Sequence, residues 1–328
     1  MSELRRDPVT GRWVIIAPER GPAFARPNPV GAIGGDMCPF CEGQEPIAGR
    51  ELLAWRAGGP PNGPGWQVRV VANREPALRV ESALGEAADP LYQTLGGLGA
   101  HEVVIETPDH HATFATMSGE EVARVLWAWR ERMRDLRRDL RLKSFFVVKN
   151  VGAMAGATLD HSHSQLLALP LIPQHLQDEI DGARAHHDKV TRCVFCDVLQ
   201  QEVARNVRIV AADEEAVVFT PFASRMPFET WVVPRAHQSS FDDSSDATLQ
   251  MIGARLQDVI HRLHIALVSP PYTLLLHTAP VGDDAEFYHW HIEIIPRLAP
   301  VSGLAWGGGV YINPVAPEKA AEALRAVV

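Results

Sequence analysis

Residues 150–165 read N-V-G-A-M-A-G-A-T-L-D-H-S-H-S-Q and concentrate the side chains best suited to chemistry. The core is His161, Ser162, His163, Ser164 and Gln165. On a β-strand successive side chains alternate faces, so His161, His163 and Gln165 line one surface, about 6–7 Å apart along it. Imidazole can act as nucleophile, general base or metal ligand, and the partners of its two nitrogens decide which. Gly152 and Gly156 let the backbone bend ahead of the strand and approach a ligand closely. A neutral Gln165 amide suits a phosphoryl centre, because it donates to a phosphate oxygen and stays in place through both halves of a transfer.

Cysteine chemistry points to metal. The four cysteines fall as Cys38-Pro-Phe-Cys41 and Cys193-Val-Phe-Cys196, and the polar start M-S-E-L-R-R-D lacks the apolar middle of a signal peptide. Two such pairs in that context suggest zinc before disulfide, with a redox pair or core thiols as the alternative. The histidines decide between them. His110 precedes a helix and His161 lies on the strand after it, 51 residues on; His237 and His289 repeat the arrangement at 52 residues. Each helix opens eight residues after its first histidine, at Ser118 and Ser245. The chain is therefore an internal duplication, and each half supplies a complete tetrahedral Cys₂His₂ set with no open position. With His111 and His291 as neighbouring competitors, the expected ligands are Cys38, Cys41, His110 and His161 in one site and Cys193, Cys196, His237 and His289 in the other. Both are expected to be structural zinc sites, and His163 is left as the chemical histidine.

The elements that must hold these residues follow from hydrophobic period. Strands are expected at 12–17, 67–72, 101–106, 144–149 and across His163, then at 207–211, 216–220, 230–233, 272–277 and 287–295. Ser118 with Glu121 three residues on is a capping box. The helix behind it presents Val122, Leu126, Trp129, Met133, Leu136 and Leu140 on one face, and its counterpart presents Leu249, Ile252, Leu256, Ile260 and Leu263. A last helix spans 317–327. The result is an α+β chain of two similar domains, residues 1–180 and 181–328, each an antiparallel sheet packed with helices. At 328 residues each domain can bury a core. A net charge of −9 argues against a general nucleic-acid binder. No apolar run approaches the roughly 20 residues of a membrane span, so a cytoplasmic protein is expected.

These residues carry a resemblance. R-R-D-P-V-T-G-R-W-V-I-I-A-P-E-R, C-P-F-C, H-E-V-V-I-E-T-P-D-H, the 150–165 segment and G-V-Y-I-N-P-V-A-P-E resemble the galactose-1-phosphate uridylyltransferase family, whose halves have the histidine-triad fold. In histidine-triad hydrolases a third histidine stands where this chain has Gln165, and the replacement marks the transferase branch. The resemblance implies ping-pong transfer of UMP from UDP-glucose to galactose 1-phosphate through a covalent nucleotidyl-His163, with Gln165 steadying the phosphoryl group. It implies substrate contacts at Arg20, Arg26, Asn73, Asn150, Gly156, Thr158 and Ser162, and a homodimer. Family members commonly carry His-Pro-His-Gly-Gln, and this chain also lacks a C-terminal glutamine expected to hold the hexose. His-Ser-His-Ser-Gln is similar to the branch containing ADP-glucose phosphorylase, which transfers the nucleotidyl group to inorganic phosphate. A histidine-triad hydrolase and a non-catalytic zinc protein are the readings from other classes.

Overall fold

The computed structural model describes residues 3–6, 9, 13–16, 38–85, 96–282 and 285–327. In chain order the strands of the first half are β1 (Glu3–Arg6), β2 (Trp13–Ile16), β3 (Glu51–Arg56), β4 (Trp66–Ala72), β5 (Ala100–Ile105), β6 (Ser144–Val151) and β7 (His163–Leu169). Its helices are α1 (Glu45–Ala48) and α2 (Gly119–Leu136), and α3 (Gln174–Val190) leads into the second half. There follow α4 (Val194–Arg205), β8 (Ile209–Ala212), β9 (Ala216–Phe219), β10 (Thr230–Pro234), α5 (Asp246–Leu267), β11 (Tyr272–His277) and β12 (His291–Pro296). The chain closes with α6 (Gly303–Gly308), β13 (Tyr311–Asn313) and α7 (Pro317–Arg325).

Ten strands form one sheet in the order β3-β4-β5-β7-β6-β11-β12-β10-β9-β8. Each half contributes five, and the second five mirror the first about the antiparallel β6–β11 pair, where Val148 lies opposite Leu275. The duplication thus becomes a continuous sheet in which two edges that would otherwise expose unpaired N–H and C=O groups satisfy each other. Residue 180 lies inside α3, so the chain passes from one half to the other along a helix. A separate small sheet joins β1, β2 and β13, with β13 parallel to β2.

The two long helices lie together behind the sheet. At their crossing a Cβ on Gly253 would come within 2.7 Å of the Ala123 backbone nitrogen, so only glycine allows so close an approach. The capping box at Ser118 is present, with Ser118 Oγ accepting from the Glu121 N–H and the Glu121 carboxylate accepting from the Ser118 N–H at 2.7 Å. Val122, Leu126, Trp129, Met133 and Leu136 are buried in one core with Leu249, Ile252, Leu256, Ile260 and Leu263. Leu140 is not among them. The helix ends at Leu136 and Leu140 stands 81% exposed, because the Asp139 carboxylate accepts the Arg141 N–H and turns the chain, so Leu142 enters the core instead. The strand expected from residue 287 begins only at His291. Ahead of it the Trp290 N–H donates to the Gln238 carbonyl, which carries this segment out of register with β11.

Candidate active site

Strand β7 sits between β5 and β6, with His163 opposite Ile105, Gln165 opposite Val103 and Leu167 opposite His101. Alternation gives its two faces different work. Ser164 turns back to α2, where its hydroxyl accepts from Trp129 Nε1–H at 2.8 Å. Ser162, just ahead of the strand, likewise turns inward and donates to Glu106 Oε2 at 2.7 Å while accepting from Lys149 Nζ at 2.9 Å. Lys149 and Glu106 are themselves paired at 2.5 Å and essentially without solvent. The two serines of His-Ser-His-Ser-Gln therefore anchor the His163 segment to the core. Ser162, expected as a substrate contact, points to this network instead.

Replacing Lys149 by Met is expected to destabilise the protein by about 3 kcal/mol or more, since it strands a buried carboxylate. Pairing it with Glu106→Gln should recover most of that loss in urea unfolding. Equal destabilisation in the single and double variants would show that packing, not charge, holds the strand.

The other face carries His163 and Gln165. His163 is buried, and its Nδ1–H donates to the His161 carbonyl at 2.8 Å, which places the lone pair on Nε2. Burial holds its pKa below the ordinary imidazole value, and the nearby Lys149 ammonium acts in the same direction. A neutral ring with a fixed tautomer is the form a nucleophile needs. His163 and Gln165 line a cavity of about 290 Å³ together with Phe40, Asn73, Arg74, Val103 and Thr158. Of the expected substrate contacts, Asn73 and Thr158 are thus at the cavity. Asn150 and Gly156 adjoin each other, a Cβ on Gly156 lying 3.8 Å from Asn150 Nδ2, and both Gly152 and Gly156 take positive φ. Arg20 and Arg26 lie outside the described residues.

Both cysteine–histidine sets assemble. Cys38, Cys41, His110 and His161 bring their ligand atoms together, as do Cys193, Cys196, His237 and His289. Sulfur-to-Nδ1 distances are 3.6 Å for Cys38–His161, 3.5 Å for Cys41–His110, 3.3 Å for Cys196–His237 and 3.6 Å for Cys196–His289. A tetrahedral ion with Zn–S and Zn–N bonds of ordinary length sets this edge at about 3.5 Å. His161 Nε2–H donates to the Thr107 carbonyl at 2.7 Å, leaving Nδ1 unprotonated toward the thiols, as a metal ligand requires.

The sequence profile described as "Galactose-1-phosphate uridyl transferase, N-terminal domain" matches residues 69–173. An ADP-glucose phosphorylase of Arabidopsis thaliana is 32% identical, over 99% of this chain and 93% of its own length. The crystal structure of an Arabidopsis thaliana ADP-glucose phosphorylase with bound ADP-glucose superposes with a TM-score of 0.85 at 32% identity, covering 100% of this chain and 99% of that one. The chain belongs to the galactose-1-phosphate uridylyltransferase family. A galactose-1-phosphate uridylyltransferase of Thermotoga maritima is 28% identical over 99% of this chain and 98% of its own length.

Only one half of this uridylyltransferase-family chain pairs its strand histidine with an amide two residues on, His163 with Gln165 against His291 with Glu293. Trp231 opposite Glu293 on β10 and β12 repeats the register of Val103 opposite Gln165. His291, the counterpart of His163, also bonds the carbonyl two residues back, that of His289, at 3.1 Å. Its ring, however, is stacked between Trp231 at 4.5 Å and His277 at 4.6 Å. Glu293, in the register place of Gln165, is instead paired with the Arg225 guanidinium and accepts from Trp231 Nε1–H at 3.2 Å. His-Trp-His-Ile-Glu against His-Ser-His-Ser-Gln already shows this divergence.

Glu179, His277 and His291 bring a third set of ligand atoms within 4.8 Å of one another. His277 Nδ1 meets Glu179 Oε2 at 3.1 Å, and Tyr288 Oη–H donates to the same oxygen at 2.8 Å. His277 and Tyr288 outweigh the upward push of burial and hold the Glu179 carboxyl at a pKa of about 2. No local spacing singles out this group, since 98 residues separate Glu179 from His277.

Proposed function

We propose that the protein is a nucleotidyltransferase working through a covalent intermediate on His163. The observation that carries the reading is the 2.8 Å bond from Nδ1–H to the His161 carbonyl, which commits the Nε2 lone pair to attack beside Gln165. In the first half-reaction Nε2 attacks the α-phosphorus of a nucleoside diphosphate sugar. The bond from that phosphorus to the bridging oxygen breaks, and hexose 1-phosphate leaves with the electron pair. In the second, a phosphate oxygen of the acceptor attacks the same phosphorus, and the P–N pair returns to Nε2. Gln165 donates to a non-bridging oxygen in both halves, and the transition state gains most from such a fixed donor. Zinc belongs to the same reading. Held by the two Cys₂His₂ sets, each closed at four ligands, it supplies folding free energy and no open coordination position.

Two donor–acceptor pairs have support. ADP-glucose with inorganic phosphate is favoured by the higher identity and fold similarity to the Arabidopsis relative, and by His-Ser-His-Ser-Gln. UDP-glucose with galactose 1-phosphate has the family profile and the Thermotoga relative behind it. Crossing both nucleotide sugars with both acceptors tests the choice. We expect kcat/KM for ADP-glucose with phosphate to exceed the uridylyl reaction by about 100-fold or more, because polar groups built for one partner are left unpaired by the other. The reverse ratio returns the assignment to uridylyl transfer, and free nucleotide without acceptor dependence makes the protein a hydrolase. The homodimer implied by the family belongs to this reading and is checked by light scattering.

A further inference from the structure

Gln165 does not stand alone in the cavity. Its Oε1 lies 2.7 Å from Nε2 of His101 on the neighbouring strand β5. The contact is a cross-strand diagonal, His101 being registered with Leu167 and Gln165 with Val103. The ring's other nitrogen settles the direction of the bond. Nδ1 of His101 faces the backbone N–H of Ala77 at 3.0 Å, and an N–H can only donate. Nδ1 therefore holds the lone pair and Nε2 the proton. Asn73 also reaches that nitrogen, its Nδ2 at 3.1 Å, but its Oδ1 is taken by the Glu75 N–H at 2.9 Å. Gln165 Oε1 is thus the acceptor that remains for His101.

We propose that His101 is a positioning residue: by holding the Gln165 amide oxygen, it presents the amide NH₂ to the transferred phosphoryl group. A carboxamide free to turn half over would offer its oxygen to the phosphate oxygens and repel them. With the oxygen held on one side by an imidazole N–H, the donor end is fixed without using the substrate's binding energy to orient it. The proposal rests on nucleotidyl transfer through His163 and adds a residue to it.

The test measures kcat, donor KM and the rate of adduct formation with ADP-glucose and with UDP-glucose. His101→Ala should lower kcat about 10- to 100-fold, the order lost when a preorganised donor is misplaced, while KM for the donor changes less than about 3-fold. His101→Gln puts an amide N–H near the place of Nε2–H and should stay within about 3-fold of wild type. In a Gln165→Ala background His101→Ala should cost less than about 2-fold further, since the two act as one unit. Should His101→Ala fail to fold, His101→Leu fills the ring's volume without the donor and is read the same way. Equal losses in both backgrounds, no recovery in His101→Gln, or an unchanged kcat would each overturn the positioning role. If wild type forms an adduct and the His101 variants form it just as fast, only this inference falls. If wild type forms none with either donor, nucleotidyl transfer itself falls.

Discussion

His163→Gly is expected to abolish turnover, lowering kcat by at least about 10⁴-fold, the scale on which enzymes lose activity with their nucleophile. No acid-labile nucleotidyl adduct should then be trapped on the protein. The ring is held by one hydrogen bond through Nδ1 and touches Phe40 edge-on, with centroids 5.3 Å apart. Its removal therefore leaves an imidazole-sized space without disturbing the Lys149–Glu106–Ser162 network on the opposite face. A nucleoside phosphorimidazolide placed in that space should restore the second half-reaction alone. Near-normal turnover in His163→Gly would end the covalent mechanism. An adduct that persists in the variant would move the nucleophile to another residue.

Loss of zinc should have the next largest effect, and it should differ between the two sites. Metal analysis of protein purified without chelator is expected to find about two zinc per chain, one for each closed Cys₂His₂ set. Cys38→Ser and Cys193→Ser should each lose one ion and several kcal/mol of stability, because a structural site contributes folding free energy directly. Their effects on activity should diverge. The first site holds His161, whose carbonyl accepts the bond that fixes the His163 tautomer. The second holds His289, next to a His291 enclosed by aromatic rings. Cys38→Ser should therefore cost activity even at temperatures where it remains folded. Cys193→Ser should lower the melting temperature while the folded fraction keeps most of its turnover. Full stability and activity at near-zero zinc would remove the metal assignment.

Much of the site is legible in the order of residues along the chain. CxxC spacing, the matched His–His intervals and the Ser118 capping box depend on residues close in sequence or on a repeated order, and each assembles as expected. Local period errs at ends. It extends one helix to Leu140 and starts one strand at residue 287, because apolar spacing continues past the point where a side chain or an off-register hydrogen bond turns the backbone. The family resemblance, not local period, places Ser162 with the substrate, whereas a buried ammonium and carboxylate draw its hydroxyl the other way.

Residue order suffices for the repeat, the two four-ligand sets, His163 with Gln165 as the candidate reacting pair, and an α+β architecture. These rest on residue chemistry and on periods of 2 and 3.6, which a chain carries wherever it folds. Only the folded chain joins the two halves in one sheet through β6 and β11. Only there does Lys149 meet Glu106, His101 meet Gln165, and Glu179 meet His277 and His291. The Lys149–Glu106, His101–Gln165 and Glu179–His277 contacts span 43, 64 and 98 positions, across strand registers or between a helix and the sheet. Register is set by the packing of whole faces, so no local pattern announces which distant side chains it will bring together.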